Sequence, residues 1–149
     1  MRLKAVGAGI ALHPFQYLPN PNQSKGPPVR MIMKSGIHVG AGSDSAQIST
    51  LNPWNMIYYL VTGLDAAGRP SNVADTIDRA TALRLYTASN GWFLKEEDKL
   101  GTLEPGKLAD LVVLSGDYFD AKAVPDAKLR DLHSVLTVVG GKVVYREGL

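Results

Sequence analysis

The chain has 149 residues, with 16 Lys+Arg against 14 Asp+Glu, three His, no Cys and a net charge of +2. That length supports one core of ordinary size, with roughly 70% of the unfolded surface buried on folding. Scattered basic residues and so small a charge argue against a phosphate-neutralising surface, so no nucleic-acid partner is expected. Zero cysteines exclude disulfides, Cys-ligated metals and thiol catalysis, and agree with a reducing, cytoplasmic location. No run approaches the roughly 20 apolar residues of a membrane span, so no membrane partner is expected either.

Lys4–Leu12 reads as a short buried strand that stops at His13-Pro14, because the residue before a proline is driven into extended geometry. Residues 14–28 hold five prolines and no apolar period, and read as a long loop of the kind that is functional or disordered. Pro27-Pro28 then suits the first turn of a helix carrying Val29, Ile32 and Met33, with Gly36 closing it. Ile37–Gly42 follows as a second strand. The order strand, loop, helix, strand predicts two parallel neighbours.

Pro53 opens an aromatic-rich helix through about Leu60, in which Trp54, Tyr58 and Tyr59 serve packing. A further helix is expected from about Val73 to Ala88, with Asn90-Gly91 available to cap it. Beyond residue 95 the pattern turns to strands. Leu108–Leu114 is one, and Val135–Val139 with Lys142–Tyr145 flank Gly140-Gly141, the signature of a tight hairpin. The chain therefore divides into an α/β part, residues 1–95, and a mostly β part, residues 96–149.

Parallel strands present chemistry at their carboxyl ends. His13 ends the first predicted strand and Asp44 follows the second, within Gly42-Ser43-Asp44-Ser45, so the two share one rim. On local sequence alone an Asp there reads first as an N-cap or Asx turn, and His13 as a structural residue. His38 lies six residues before Asp44, ~20 Å away along a strand, and reads as a packing histidine. His133 reads as exposed. One carboxylate and one imidazole fall short of the three protein ligands of a catalytic zinc, so this chain alone is expected to hold no metal.

The segment Gly36-Ile-His-Val-Gly-Ala-Gly-Ser-Asp-Ser45 resembles the eighth-strand region of the metal-dependent amidohydrolase superfamily. Asn52-Pro53-Trp54, Val61-Thr62-Gly63 and Ala82-Leu83-Arg84-Leu85-Tyr86-Thr87 are similar to its family 3 branch. Gly101-Thr-Leu-Glu-Pro-Gly-Lys-Leu-Ala-Asp-Leu-Val-Val-Leu114 resembles the superfamily's return to its small β domain, and Val138–Tyr145 its closing hairpin. The resemblance implies a (β/α)₈ barrel with divalent metal at the carboxyl ends of the strands. Such a barrel takes about 250 residues, so residues 1–95 correspond to its last two β/α units. Residues 96–149 correspond to part of a small β-sandwich.

By this likeness Asp44 is the last-strand aspartate, both metal ligand and catalytic base, and zinc is the expected ion of the full-length enzyme. His13 falls where the branch often has Gln and is carried over only as a substrate contact. The other metal ligands of the family have no counterpart here and would precede residue 1. The implied activity is hydrolysis of C–N bonds in small amides, ureas, cyclic amides or N-formyl compounds, the fragment alone being inactive. The alternatives are a non-catalytic binding or assembly module, or a small-ligand pocket at the rim without hydrolysis. Two parallel strands with bare edges also predict self-association.

Overall fold

The computed structural model describes residues 2–13, 17–18, 26–46 and 49–148. Within the expected loop at 14–28, residues 14–16 and 19–25 therefore lie outside the described residues. The chain is mixed α/β with two small sheets. Among the described residues no helix is long and apolar enough to cross a membrane.

The first sheet is the parallel pair predicted by the sequence order. Strand β1, Gly9–Leu12, lies beside β2, His38–Ala41, in a register running from Gly9 opposite His38 to Leu12 opposite Ala41. Helix α2, Val29–Lys34, crosses between them. The expected strand at 4–12 needs one correction. Its start is a helical turn, α1, Arg2–Ala5. Gly7 sits at φ +69°, the Gly7 N–H reaches Lys4 O and the Ala8 N–H reaches Leu3 O. That pair of hydrogen bonds around a left-handed glycine is a Schellman stop, and the strand can begin only after it.

Helix α3, Pro53–Thr62, starts where Asn52 Oδ1 accepts the Trp54 N–H at 3.0 Å and proline takes the first position. Trp54, Met56, Ile57, Tyr58, Tyr59 and Leu60 are all buried on it, so it is apolar on most of its circumference and is covered from several sides. One cover is a 3₁₀ turn at Asp126–Asp131, whose Leu129 is fully buried. A single cluster joins Leu12, Val29, Val39, α3 and Leu85 to Tyr118, Val124, Leu129 and Leu132, so the core runs across residue 95.

The single helix expected at 73–88 is broken into three pieces: a 3₁₀ turn Val73–Asp75, α4 at Arg79–Tyr86 and α5 at Ala88–Leu94. Asp78 starts α4 anew by accepting both the N–H and the hydroxyl of Thr81. Thr87, at φ −123° and ψ −95°, ends it. Asn90 and Gly91 consequently lie inside α5 rather than capping a helix. Gly91 is buried, and a Cβ there would stand 3.2 Å from Glu97 Cα, so its glycine serves a close chain crossing.

The second sheet is antiparallel, in the order β3 (Leu111–Leu114), β4 (Ser134–Val139), β5 (Lys142–Arg146). Gly140 and Gly141 have φ of +55° and +76°, the two positive values of a primed two-residue hairpin. Arg79 ties this tail to the helices. Its guanidinium donates to Tyr118 O at 2.6 Å, Val124 O at 2.7 Å and Asp126 Oδ1, and the Tyr118 hydroxyl returns a bond to Arg79 O.

Candidate functional site

Side chains alternate along β1 and β2, so the sheet has two unlike faces. Leu12, Val39 and Ala41 join the core, with Ile10 packed against it. The other face carries Gly9, His38 and Gly40, and α5 lies on it. A Cβ at Gly9 would come within 2.6 Å of Trp92 Cζ3, which is why that end of the face is built from glycine. His38 stacks on Trp92 with ring centroids 4.4 Å apart, and its Nε2 is 2.7 Å from Ser89 O. It is the packing histidine the sequence predicts. His133 is exposed, with Nε2 3.4 Å from Glu147 Oε1.

The carboxyl end of the same face is open. Gly42 continues the ladder by donating its N–H to Leu12 O at 3.1 Å, which sets His13 beside Gly42. His13 is exposed, and a Cβ placed on Gly42 would lie 3.5 Å from His13 Cε1. Asp44 follows two residues later, exposed, in the left-handed conformation at φ +51°. Parallel pairing thus brings the ends of both strands to one edge. The same edge receives two side chains that sequence reasoning missed. The Tyr86 hydroxyl donates to Gly42 O at 3.3 Å, and Asn90 Nδ2 donates to Ala41 O at 3.0 Å. Burial pushes the Tyr86 hydroxyl well above the usual phenol range, so it stays a protonated donor.

Among the described residues no three His, Asp or Glu side chains gather where a metal ion would sit. A separate open cleft of about 330 Å³ lies between the start of α3 and β3, lined mainly by Trp54, Val112, Leu114 and Leu132. It includes neither His13 nor Asp44, and its walls are almost wholly apolar.

Comparison with known proteins gives a consistent kinship. A family model described as "Amidohydrolase family" matches residues 1–145. The N-substituted formamide deformylase of Arthrobacter pascens is 30% identical over 118 residues, which are 79% of this chain and 21% of that protein. The 5-methylthioadenosine/S-adenosylhomocysteine deaminase of Desulforudis audaxviator is 29% identical over 149 residues, 94% of this chain and 33% of that protein. An amidohydrolase from Thermotoga maritima superposes with a TM-score of 0.68 at 20% identity, over 98% of this chain and 33% of its own. The chain thus spans about a fifth to a third of the length of the relatives it matches.

Proposed function

The chain belongs to the amidohydrolase family, in its family 3 branch, and on that premise we propose that it is the carboxyl-terminal part of a C–N hydrolase with Asp44 as catalytic carboxylate. The observation that carries the proposal is the β1–β2 parallel register, which delivers His13, Gly42 and the Ser43–Asp44 turn to one rim. Parallel strands in such folds present their reacting groups at this end. In that role the Asp44 carboxylate accepts a proton from the water that attacks the C–N substrate. The His13 imidazole, lying over Gly42 at the same edge, contacts the substrate. Relatives named for a deformylase and a deaminase support small amides, cyclic amides or N-formyl compounds as the substrate class.

In this reading residues 1–95 are the last two β/α units of a TIM-type barrel and residues 96–149 part of a β-sandwich. The parallel pair and the separate antiparallel sheet support that division. Divalent metal is general in the family, and zinc is the ion we infer for the full-length enzyme. The described residues put one carboxylate and one imidazole at the rim, against the three protein ligands of a catalytic zinc site, so they do not fit a complete centre on their own. The same shortfall favours the second reading, a non-catalytic binding or assembly module. Among the described residues β1 and β2 pair with no further strand, which supports self-association in either case, and a cytoplasmic location accords with both.

Asp44→Asn in the full-length enzyme tests the proposal. Turnover falls by about 100- to 10,000-fold, the range for losing a general base, while circular dichroism and melting temperature stay at wild-type values. Retained turnover removes the assignment. Metal analysis of the purified 149-residue chain separates the two readings, since stoichiometric tightly held metal contradicts the module.

A further inference from the structure

The end of β2 has a carbonyl that the ladder cannot satisfy. In a parallel pair a residue sends its N–H and its C=O to the same neighbouring strand, the first to the residue before its partner and the second to the residue after it. Gly42 donates to Leu12 O, so its partner is His13 and its carbonyl is owed the N–H of residue 14. Residue 14 is proline, which carries no N–H in any conformation. The carbonyl instead accepts the hydroxyl of Tyr86, the last residue of α4. The preceding carbonyl, of Ala41, accepts Asn90 Nδ2 from α5, and Gly40 lacks the Cβ that would overlap Asn90 Oδ1. Both final carbonyls of the strand are therefore held by side chains from one helix pair.

Two residues beyond Gly42, Asp44 adopts φ +51°. A non-glycine residue takes the left-handed region uncommonly, aspartate more readily than most, and the peptides leading into it help to set it. We propose that Tyr86 is a positioning residue: its hydroxyl replaces the missing ladder donor at the Gly42 carbonyl and so fixes the peptide from which the Ser43–Asp44 turn departs. Its bearing on catalysis rests on the reading of Asp44 as the catalytic carboxylate. Its bearing on backbone geometry does not.

Tyr86→Phe keeps the ring and deletes only the donor. In the isotope-labelled 149-residue chain, the three-bond HN–Hα coupling of Asp44 moves from its wild-type value. Amide exchange at Gly42, whose N–H donates to Leu12 O, speeds up about three- to tenfold, as expected for one lost hydrogen bond in the same peptide ladder. In the full-length enzyme kcat falls about tenfold or more with KM nearly unchanged, since displacement by a fraction of an ångström disturbs chemistry before binding. Unchanged coupling and exchange, even with a lowered melting temperature, would make Tyr86 a packing residue and overturn the proposal. Should the variant not fold, the wild-type Gly42 carbonyl carbon decides: a deuterium isotope shift from the Tyr86 hydroxyl supports the bond, and its absence refutes it. These readings do not pass through turnover, so they stand or fall separately from the Asp44→Asn result.

Discussion

Arg79→Met is the substitution that most directly tests how the tail is held to the helices. Methionine keeps much of the aliphatic stem and its packing while deleting every donor. The Arg79 side chain is only 11% exposed, and it donates to the carbonyls of Tyr118 and Val124, residues that are 4% and 8% exposed. Each carbonyl left without a partner costs about 1–3 kcal/mol. The Asp126 pair adds little, about 0–1 kcal/mol, because its carboxylate is 56% exposed. The sum is about 2–7 kcal/mol, a large fraction of the 5–15 kcal/mol that holds a typical domain. Urea unfolding followed by circular dichroism and by tryptophan fluorescence measures it, the latter because Trp54 packs 5.8 Å from the Tyr118 ring. A loss below about 1 kcal/mol would show those carbonyls reach water unaided, and would refute the reasoning.

Two neighbouring glycines should differ in their response to alanine. At Gly40 the new Cβ overlaps Asn90 Oδ1 and lies 2.7 Å from Phe93 Cε2, so Gly40→Ala should lower stability by about 1–3 kcal/mol. At Gly42 the nearest atom is 3.5 Å away, an ordinary contact, and chemical denaturation should find Gly42→Ala within about 0.5 kcal/mol of wild type. Equal losses at both positions would contradict the packing described. Acid sensitivity should trace in part to Asp65. Burial raises its carboxyl pKa, but the Arg69 N–H, the Arg69 guanidinium and the Ala67 N–H outweigh that and hold it below the ordinary range. A carboxyl so depressed adds stability above its unfolded value of about 3.9 and loses it as pH falls through the folded one. The urea midpoint should therefore drop below about pH 4, and Asp65→Asn should blunt that drop; an identical acid limb in the variant would exclude Asp65 as its source.

The elements legible in the sequence were those with local causes. Asn52-Pro53 starts α3, Gly140-Gly141 turns the hairpin, and the strand–helix–strand order forces parallel pairing, each through a few adjacent residues. The early turn Arg2–Ala5 was hidden because its apolar residues suit a strand as well as a helix, and the deciding feature is the conformation of Gly7. The break at Thr87 was hidden for another reason. It lets α5 fold back over Gly9 and Gly40, a demand that arises only once the sheet exists. Of the rim, His13 and Asp44 were visible as strand ends. Tyr86 and Asn90 were not, because their partners are carbonyls 44 and 49 positions away. One signal was available for Tyr86: a proline placed where a parallel ladder needs a donor.

Because Leu129 seats against α3, the order of synthesis matters. Helix α3, with six buried apolar or aromatic residues, is complete at Thr62, yet one of its covers is translated some 65 residues later, roughly 3–13 s at 5–20 residues per second. Throughout that interval one side of a sticky, aromatic rod stays uncovered on the nascent polypeptide. Those seconds are when ribosome-bound chaperones have most to shield, and a message broken shortly after codon 114 would leave that side of the rod bare for good.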